Sequence, residues 1–261
     1  MAERSLLAVK DQLSAALLQQ TFTVAEQTEA VIEEYKRLME AYVRIEEGIA
    51  VLSDFAADCS YMQAGSFGSL LGIPAGASLL DSAFEDCIFN VLHAEDLVAR
   101  HVQELRYFQY QKTIPVNERP KYSTFCRVRI RSANGYAYIN HRTFYLKSLS
   151  NGSVWLALCL YTPSADTNPR AGIDGRIINN ETGEVLAPEQ YKQYDQTLLS
   201  KRETEVLALV AQGRGSKEIA EQLHIAVHTV HRHRQNIIQK MQVANTAEAV
   251  LTALNMGLIT S

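Results

Sequence analysis

The chain has 261 residues, of which 47% are hydrophobic and 21% are charged, and its formal net charge at pH 7 is −4. This balance is typical of a globular protein and excludes an intrinsically disordered one. No window approaches about 18 uninterrupted apolar residues, so we expect no transmembrane helix, and charges interrupt the N-terminal segment where a secretory signal would be apolar. The four cysteines lie far apart with no histidine at zinc spacing, which excludes a disulfide scaffold and a zinc finger and indicates a cytoplasmic protein without a metal site.

The first 47 residues are expected to form the N-terminal helices. No proline or glycine precedes Gly48, and apolar side chains such as Val24, Val31 and Leu38 recur at helical spacing. The pattern predicts helix over residues 5–47. Such a helix packs either against the domain that follows it or against a second copy of that domain.

Residues 48–162 show the pattern of an antiparallel sheet with helices. The run IAVLSDFAADCSYMQ predicts one or two strands, a glycine-rich break surrounds a short helix, and residues 96–111 are predicted to be helical. Three strand-like runs follow: FCRVRIR alternates apolar residues with arginines, Asn134-Gly135 is typical of a tight hairpin turn, and VWLALCLY is apolar throughout, as in a central strand. Strands, then helices, then an antiparallel meander predict an α+β fold rather than a parallel sheet.

This stretch resembles a PAS domain. The resemblance rests on the run His93-Ala94-Glu95-Asp96, which opens the helix, and on the hairpin R-x-R-x-x-x-x-G-Y-x-Y-I from Arg129 to Ile139. It implies a five-stranded antiparallel sheet with helices on one side, and a role as a sensor of ligands, cofactors or partner proteins.

The sequence leaves two alternatives to a small-molecule sensor for this part of the chain. Residues 1–162 could instead be a ligand-free module for protein interaction and dimerisation. An acyl-homoserine-lactone receptor would need an α/β/α sandwich here, and the antiparallel meander argues against it. The sequence identifies no cofactor: the flavin-type Asn-Cys-Arg context is missing, and His101, the one candidate haem ligand, is more commonly a structural residue in such a position.

Residues 163–195 contain three of the six prolines and are predicted to be a linker. Within it, GRIINNETGEVL predicts a small hairpin that turns at residues 180–183 and packs on the edge of the sheet.

Residues 196–261 form a basic, helical C-terminal segment. Seven lysines and arginines stand against five acids, a charge of +2, which leaves −6 for residues 1–195. Four helical segments are predicted, and the first opens with Ser200-Lys201-Arg202-Glu203, the pattern of a capping box. The second and third are short, joined by a tight turn, and polar on the outer face of the third, as in a helix-turn-helix.

The side chains of this segment resemble the LuxR/FixJ-type (GerE-like) DNA-binding domain over about sixty residues. The matching runs are LSKRETEVL, GSKEIAEQL, IAVHTVHRH, IIQKM and the closing GLI. The resemblance implies an all-α, four-helix domain in a transcriptional regulator, not an enzyme, that binds double-stranded DNA as a homodimer, with RNA polymerase as a further candidate partner. The family often has serine where this chain has Ala226, so an N-terminal cap of the third helix is expected to be missing.

The resemblance also assigns roles to individual residues. Near the start of the third helix, the side chains expected to face the major groove are His231, Arg232 and Gln235. The candidates for phosphate or flanking contacts are Lys217, Thr229, His233, Arg234, Asn236 and Lys240. In the last helix, the residues expected to pair with a second copy are Ala247, Val250, Leu251 and Leu254.

Overall fold

A computed structural model describes residues 2–132, 135–169, 172–187, 190, 199–241, 245–255 and 258–259. It begins with two helices, α1 (Ala2–Leu18) and α2 (Glu29–Glu46), separated by a break that contains a short 3-10 turn. The prediction of helix throughout residues 5–47 is therefore wrong at residues 19–28. Contacts with a loop far along the chain hold the break: the backbone carbonyl of Thr21 accepts hydrogen bonds from Asn151 and Ser153, both at 2.8 Å.

The centre of the molecule is one seven-stranded sheet in which every neighbouring pair of strands is antiparallel. The strands are β1 (Ile49–Asp54), β2 (Cys59–Ala64), β3 (Gly76–Leu80), β4 (Tyr122–Ser132), β5 (Gly135–Ser148), β6 (Val154–Pro163) and β7 (Arg176–Asn179). Their order is β3-β2-β1-β6-β5-β4-β7. The meander β4-β5-β6 and the central position of β6 are confirmed, as is the α+β class. Part of the predicted Asn134-Gly135 turn, at residues 133 and 134, lies outside the described residues.

Two edge strands extend the sheet beyond the five strands that the PAS resemblance implies. Strand β3 lies in the stretch expected to be a glycine-rich break, and four of its five residues are exposed, so its side chains carry little apolar pattern. Strand β7 lies within the predicted linker and pairs with β4. The predicted turn at residues 180–183 is present beside it, with the Gly183 amide donating to the Asn179 carbonyl at 2.8 Å.

Helices cover both faces of the sheet. Helices α3 (Asp86–Phe89) and α4 (Ala94–Thr113) lie on the same face as α1, where Leu13, Leu17 and Val102 join the larger apolar core. Helix α2 packs against the opposite face, where Met39 and Val43 meet Trp155 of β6. Within residues 48–162, α3 and α4 lie on one side of the sheet, as the PAS resemblance implies. The other side is covered by α2 of the N-terminal helices, because β6 carries apolar side chains on both of its faces and both must be covered. An antiparallel sheet with helices on both faces is an α/β/α sandwich, so the antiparallel meander does not exclude that architecture.

The described residues of the C-terminal region form four helices, as predicted: α5 (Lys201–Ala211), α6 (Ser216–Gln222), α7 (Val227–Lys240) and α8 (Thr246–Asn255). The fully buried side chains Val206, Leu207, Ile219, Val230 and Ile237 form the centre of this region. The capping box is confirmed, since Glu203 N donates to Ser200 Oγ at 3.3 Å and Ser200 N donates to Glu203 Oε2 at 2.8 Å. Helix α7 has no side-chain cap at Ala226, also as expected. None of the described helices combines the length and apolar character needed to cross a bilayer.

Candidate nucleic-acid interface

Three of the predicted DNA-facing side chains project from α7 into solvent. His231, Arg232 and Gln235 are exposed, while Val230 and Ile237 on the other side of the helix are fully buried. Arg232 and Gln235 are three residues apart and therefore share one face of the helix. Both side chains suit bidentate contacts with base edges, arginine with guanine and glutamine with adenine.

Arg234 has internal partners instead. Its side chain is partly buried, with Nη1 donating to Ser216 Oγ at 3.0 Å and Nε donating to Thr246 Oγ1 at 3.4 Å. One guanidinium therefore links α7 both to the first residue of α6 and to the first residue of α8. This geometry favours a role in setting the angle between the helices.

Lys240 is also held within the domain. Its Nζ lies 2.7 Å from Glu203 Oε2, and the Glu203 side chain is only 4% exposed whereas that of Lys240 is 45% exposed. Burial by itself would raise the pKa of Glu203, but the hydrogen bonds from Lys240 and Ser200 outweigh it and the pKa is lowered. The ion pair links the last turn of α7 to the first turn of α5.

The remaining candidates for flanking contacts differ in exposure. Lys217 is exposed and lines an open concavity of about 730 Å³ between α6 and the start of α7. Thr229, Asn236 and His233 are partly buried, and Nδ1 of His233 is buried with no hydrogen-bond partner among the described residues. Lys217 is thus the best placed of these four to reach a phosphate.

A contact that sequence reasoning missed holds the turn of the helix-turn-helix. Arg202 Nη2 donates to the Leu223 carbonyl at 2.5 Å, and Nη1 pairs with Glu205 at 2.8 Å. Arg202 and Leu223 are 21 residues apart, so no local spacing signals the contact.

The predicted dimerisation residues of α8 divide into two pairs. Leu251 is 59% exposed and Ala247 is also exposed, one helical turn away on the same face. Val250 and Leu254 are partly buried and pack against the larger apolar core. Only the first pair is therefore available to a second copy in this structure.

A second group of chemically notable residues lies in the sheet domain. The buried Arg100 of α4 pairs with Glu85 through Nη2 at 2.8 Å, and the Tyr161 hydroxyl donates to the same carboxylate. The same Nη2 lies 3.2 Å from His141 Nε2 and 3.8 Å from Cys159 Sγ. Arg100 therefore stands at the centre of a buried polar cluster.

Metal binding is not favoured in this cluster. Ligand atoms of Glu85, His141 and Cys159 all lie within 4.8 Å of one another, a spacing that could hold an ion. Arg100 Nη2 contacts all three, however, so a positively charged nitrogen occupies the position that a metal would take. Burial also raises the pKa of the Cys159 thiol well above its usual value, which disfavours the thiolate that a metal needs. His101 is fully buried edge-on to Phe89, with ring centroids 5.1 Å apart, and neither of its ring nitrogens has a hydrogen-bond partner among the described residues.

Residues 199–241 thus define a helix-turn-helix domain in which α7 is the recognition helix. Comparison with known protein families supports this assignment. Residues 197–253 match the family of bacterial regulatory proteins called the luxR family (GerE). Through this C-terminal domain, the chain belongs to the luxR family.

Individual relatives match over the same domain. The oxygen regulatory protein NreC of Staphylococcus carnosus is 47% identical over 62 residues, which is 24% of this chain and 29% of NreC. The uncharacterised response regulatory protein YgeK of Escherichia coli is 45% identical over 62 residues, covering 24% of this chain and 42% of YgeK. The solved structure of the transcription factor GerE is 36% identical, with 24% of this chain and 94% of GerE covered and a TM-score of 0.24. The match thus spans less than half the length of both curated relatives.

Proposed function

We propose that this protein is a transcription regulator that binds double-stranded DNA in a sequence-specific manner by inserting α7 into the major groove. The observation that carries the proposal is that some polar side chains of this helix are exposed while others are bound within the domain. Arg232 and Gln235 are exposed on one face, whereas Arg234 and Lys240 are bound to other helices of the domain. Because Arg234 and Lys240 hold α7 in place within the domain, the exposed polar side chains of α7 keep one orientation. Specific hydrogen bonds to base edges require such a fixed orientation.

The test is a selection of randomised DNA duplexes by the full-length protein and two variants. Arg232→Ala removes a charge from the proposed reading face, and Arg214→Ala removes the same charge from an exposed turn outside α7. We expect Arg232→Ala to relax the preference at one base pair and Arg214→Ala to leave the selected motif unchanged. Identical motifs from all three proteins would contradict the proposed reading face, and no enrichment by the wild type would contradict the function.

We further infer that the protein acts as a homodimer, in the cytoplasm, with RNA polymerase as a partner at promoters. The exposed pair Ala247 and Leu251 on α8 supports a two-fold contact, because an isologous interface needs an apolar patch that meets its own copy. Two-fold symmetry in turn suits a palindromic operator.

For the N-terminal region we propose a PAS-like control domain that senses a small molecule. Buried polar atoms without partners among the described residues, on Arg100 and Tyr145, support ligand sensing because such atoms are ordinarily satisfied. The second candidate is a ligand-free interaction and dimerisation module, which the extensive apolar core on both sheet faces favours. Native mass spectrometry of the purified protein separates the two: a retained small molecule supports sensing, and subunits of the bare chain mass support the module.

A further inference from the structure

Two histidines share the exposed face of α7 with the proposed reading residues. His228 and His231 are both exposed, as are Arg232 and Gln235. His228 precedes His231 by three residues and Arg232 by four, the two spacings that place side chains next to each other on a helix. His228, which the resemblance to the family does not single out, therefore belongs to the same face.

A third exposed histidine lies in the turn that leads into α7. His224 stands between α6 and α7, where it lines the same open concavity as Lys217. The fourth histidine of this region, His233, is partly buried and lies two residues beyond His231, about 200° further around the helix. The part of the helix-turn-helix that would meet DNA thus carries three exposed histidines within eight residues.

Protonation of these rings would change the charge of the interface substantially. Histidine is the side chain whose ordinary change of charge falls between pH 5 and 8. With neutral histidines, residues 196–261 carry a charge of +2, and three protonated rings would raise it to +5. A neutral imidazole donates one hydrogen bond, whereas the cation donates two. Both changes favour contact with a polyanion such as DNA.

In the free protein, none of the three histidines has an ion-pair partner. Among the described residues, no acidic side chain lies within ion-pair distance of His224, His228 or His231. Arg202 and Glu205, beside the turn, pair with each other at 2.8 Å. The other charged groups of α6, α8 and the first two turns of α7 are Lys217, Glu218, Glu221, Arg232, Arg234 and Glu248. The phosphates of a bound duplex would therefore be the first ion-pair partners of the protonated rings.

We propose that His228 and His231 contact DNA as protonated imidazolium groups, so that DNA binding takes up protons and weakens as the pH rises. This inference rests on the proposed function of α7 and adds His228 to the residues that contact DNA. A complex that takes up one proton loses affinity up to about tenfold for each pH unit above the range in which the free histidine titrates.

The experiment measures the affinity of the full-length protein for the duplex that the wild type selects, by fluorescence anisotropy from about pH 6.5 to 8.5 at one ionic strength. One double variant, His228→Lys with His231→Lys, carries both charges at every pH, and another, His228→Gln with His231→Gln, carries neither. Glu104→Gln is the matched control. Burial raises the pKa of Glu104 to about 7, so this carboxyl titrates in the same range but lies in the sheet domain.

We expect the affinity of the wild type to fall roughly 3- to 10-fold per pH unit, and that of Glu104→Gln to fall equally. Both double variants should bind with an affinity that changes less than about twofold over the whole range. The lysine variant should bind more tightly than the wild type at the highest pH, and the glutamine variant more weakly than the wild type at the lowest. Circular dichroism at each pH verifies that all four proteins are folded.

Three results would overturn the inference: a wild-type affinity that is constant or rises with pH, a double variant that keeps the wild-type slope, or a Glu104→Gln variant that loses it. The same samples separate this inference from the proposed function. A wild type that selects a DNA motif and binds it equally at every pH overturns the inference alone. A wild type that selects no motif at any pH overturns the proposed function, and the inference with it.

Discussion

Replacing Lys240 with methionine removes the ammonium group that lies 2.7 Å from Glu203 while keeping a side chain of similar length. Glu203 is then a carboxylate that is only 4% exposed and retains the Ser200 amide as its donor. Exposed ion pairs contribute about 0.2–1 kcal/mol, and breaking a fully buried pair costs about 3–5 kcal/mol. Because one partner is buried and the other is half exposed, we expect a loss of about 1–2 kcal/mol.

Hydrogen exchange of the full-length protein, read by mass spectrometry, measures this loss locally. A decrease of that size speeds exchange roughly 5- to 30-fold, and we expect it in peptides from both α5 and α7, the two helices that the pair joins. Lys217→Met is the control, since Lys217 is exposed and has no ion-pair partner among the described residues. It should leave exchange in both helices unchanged.

The salt dependence of DNA binding tests whether Lys240 acts through its ion pair with Glu203 or through a phosphate contact. If Lys240 is a phosphate contact, as the sequence predicts, the Lys240→Met variant should lower the slope of log K against log salt by about 1. Unchanged exchange in α5 and α7 together with that lower slope would refute the reasoning, because the ion pair would then contribute nothing in solution.

Three further outcomes are expected. Arg232→Ala should cost about 1–3 kcal/mol of preference at a single base pair in competition assays with singly substituted operators, and an equal loss on every sequence would contradict base reading. Burial raises the pKa of Glu104 to about 7 from its ordinary 4.5, with the nearby Arg100 opposing the shift. The folded state therefore keeps a proton that the unfolded state loses, and stability should fall by roughly 3 kcal/mol as the pH rises through this window. In Glu104→Gln the urea midpoint should vary less between pH 5 and 8, and an unchanged pH dependence would contradict the assignment. Leu251→Asp should weaken the dimer in sedimentation without unfolding α8, whereas a wild type that is monomeric with and without DNA would contradict the interface.

The C-terminal domain could be predicted almost completely because its signals are local. The capping box at Ser200 and Glu203 spans four residues, and the missing cap at Ala226 is a single position. The partners of Arg234 and Lys240 could not be predicted, since they lie 18 and 37 residues away and depend on how the helices pack. Sequence spacing identifies a basic helix but does not show which of its cations are already bound within the domain.

The sheet domain shows the same limit more strongly. The break between α1 and α2 is held by Asn151 and Ser153, about 130 residues further along the chain. Strand β3 is mostly exposed and begins with a glycine, so its sequence alone predicts a loop, and its pairing with β2 makes it a strand. The cluster around Arg100 brings together residues of α4, β5 and β6 with Glu85, which precedes α3, and no local sequence motif indicates it. In each case the missing information is tertiary, because long-range contacts decide what the local sequence leaves open.

The pairing of β1 with β6 has a consequence for how the chain is made. These strands lie side by side in the sheet, with Val51 opposite Cys159, yet about 100 residues separate the end of β1 from the start of β6. At ribosomal rates of about 5–20 residues per second, β1 waits roughly 5–20 s for its neighbour. During that time the first hairpin presents a bare edge of apolar residues, the kind of surface to which a second nascent chain can add a strand. The order of elements in this protein thus makes completion of the sheet a late event in synthesis. We therefore expect a chaperone to act on the hairpin of β1 and β2 more than on later parts of the nascent chain.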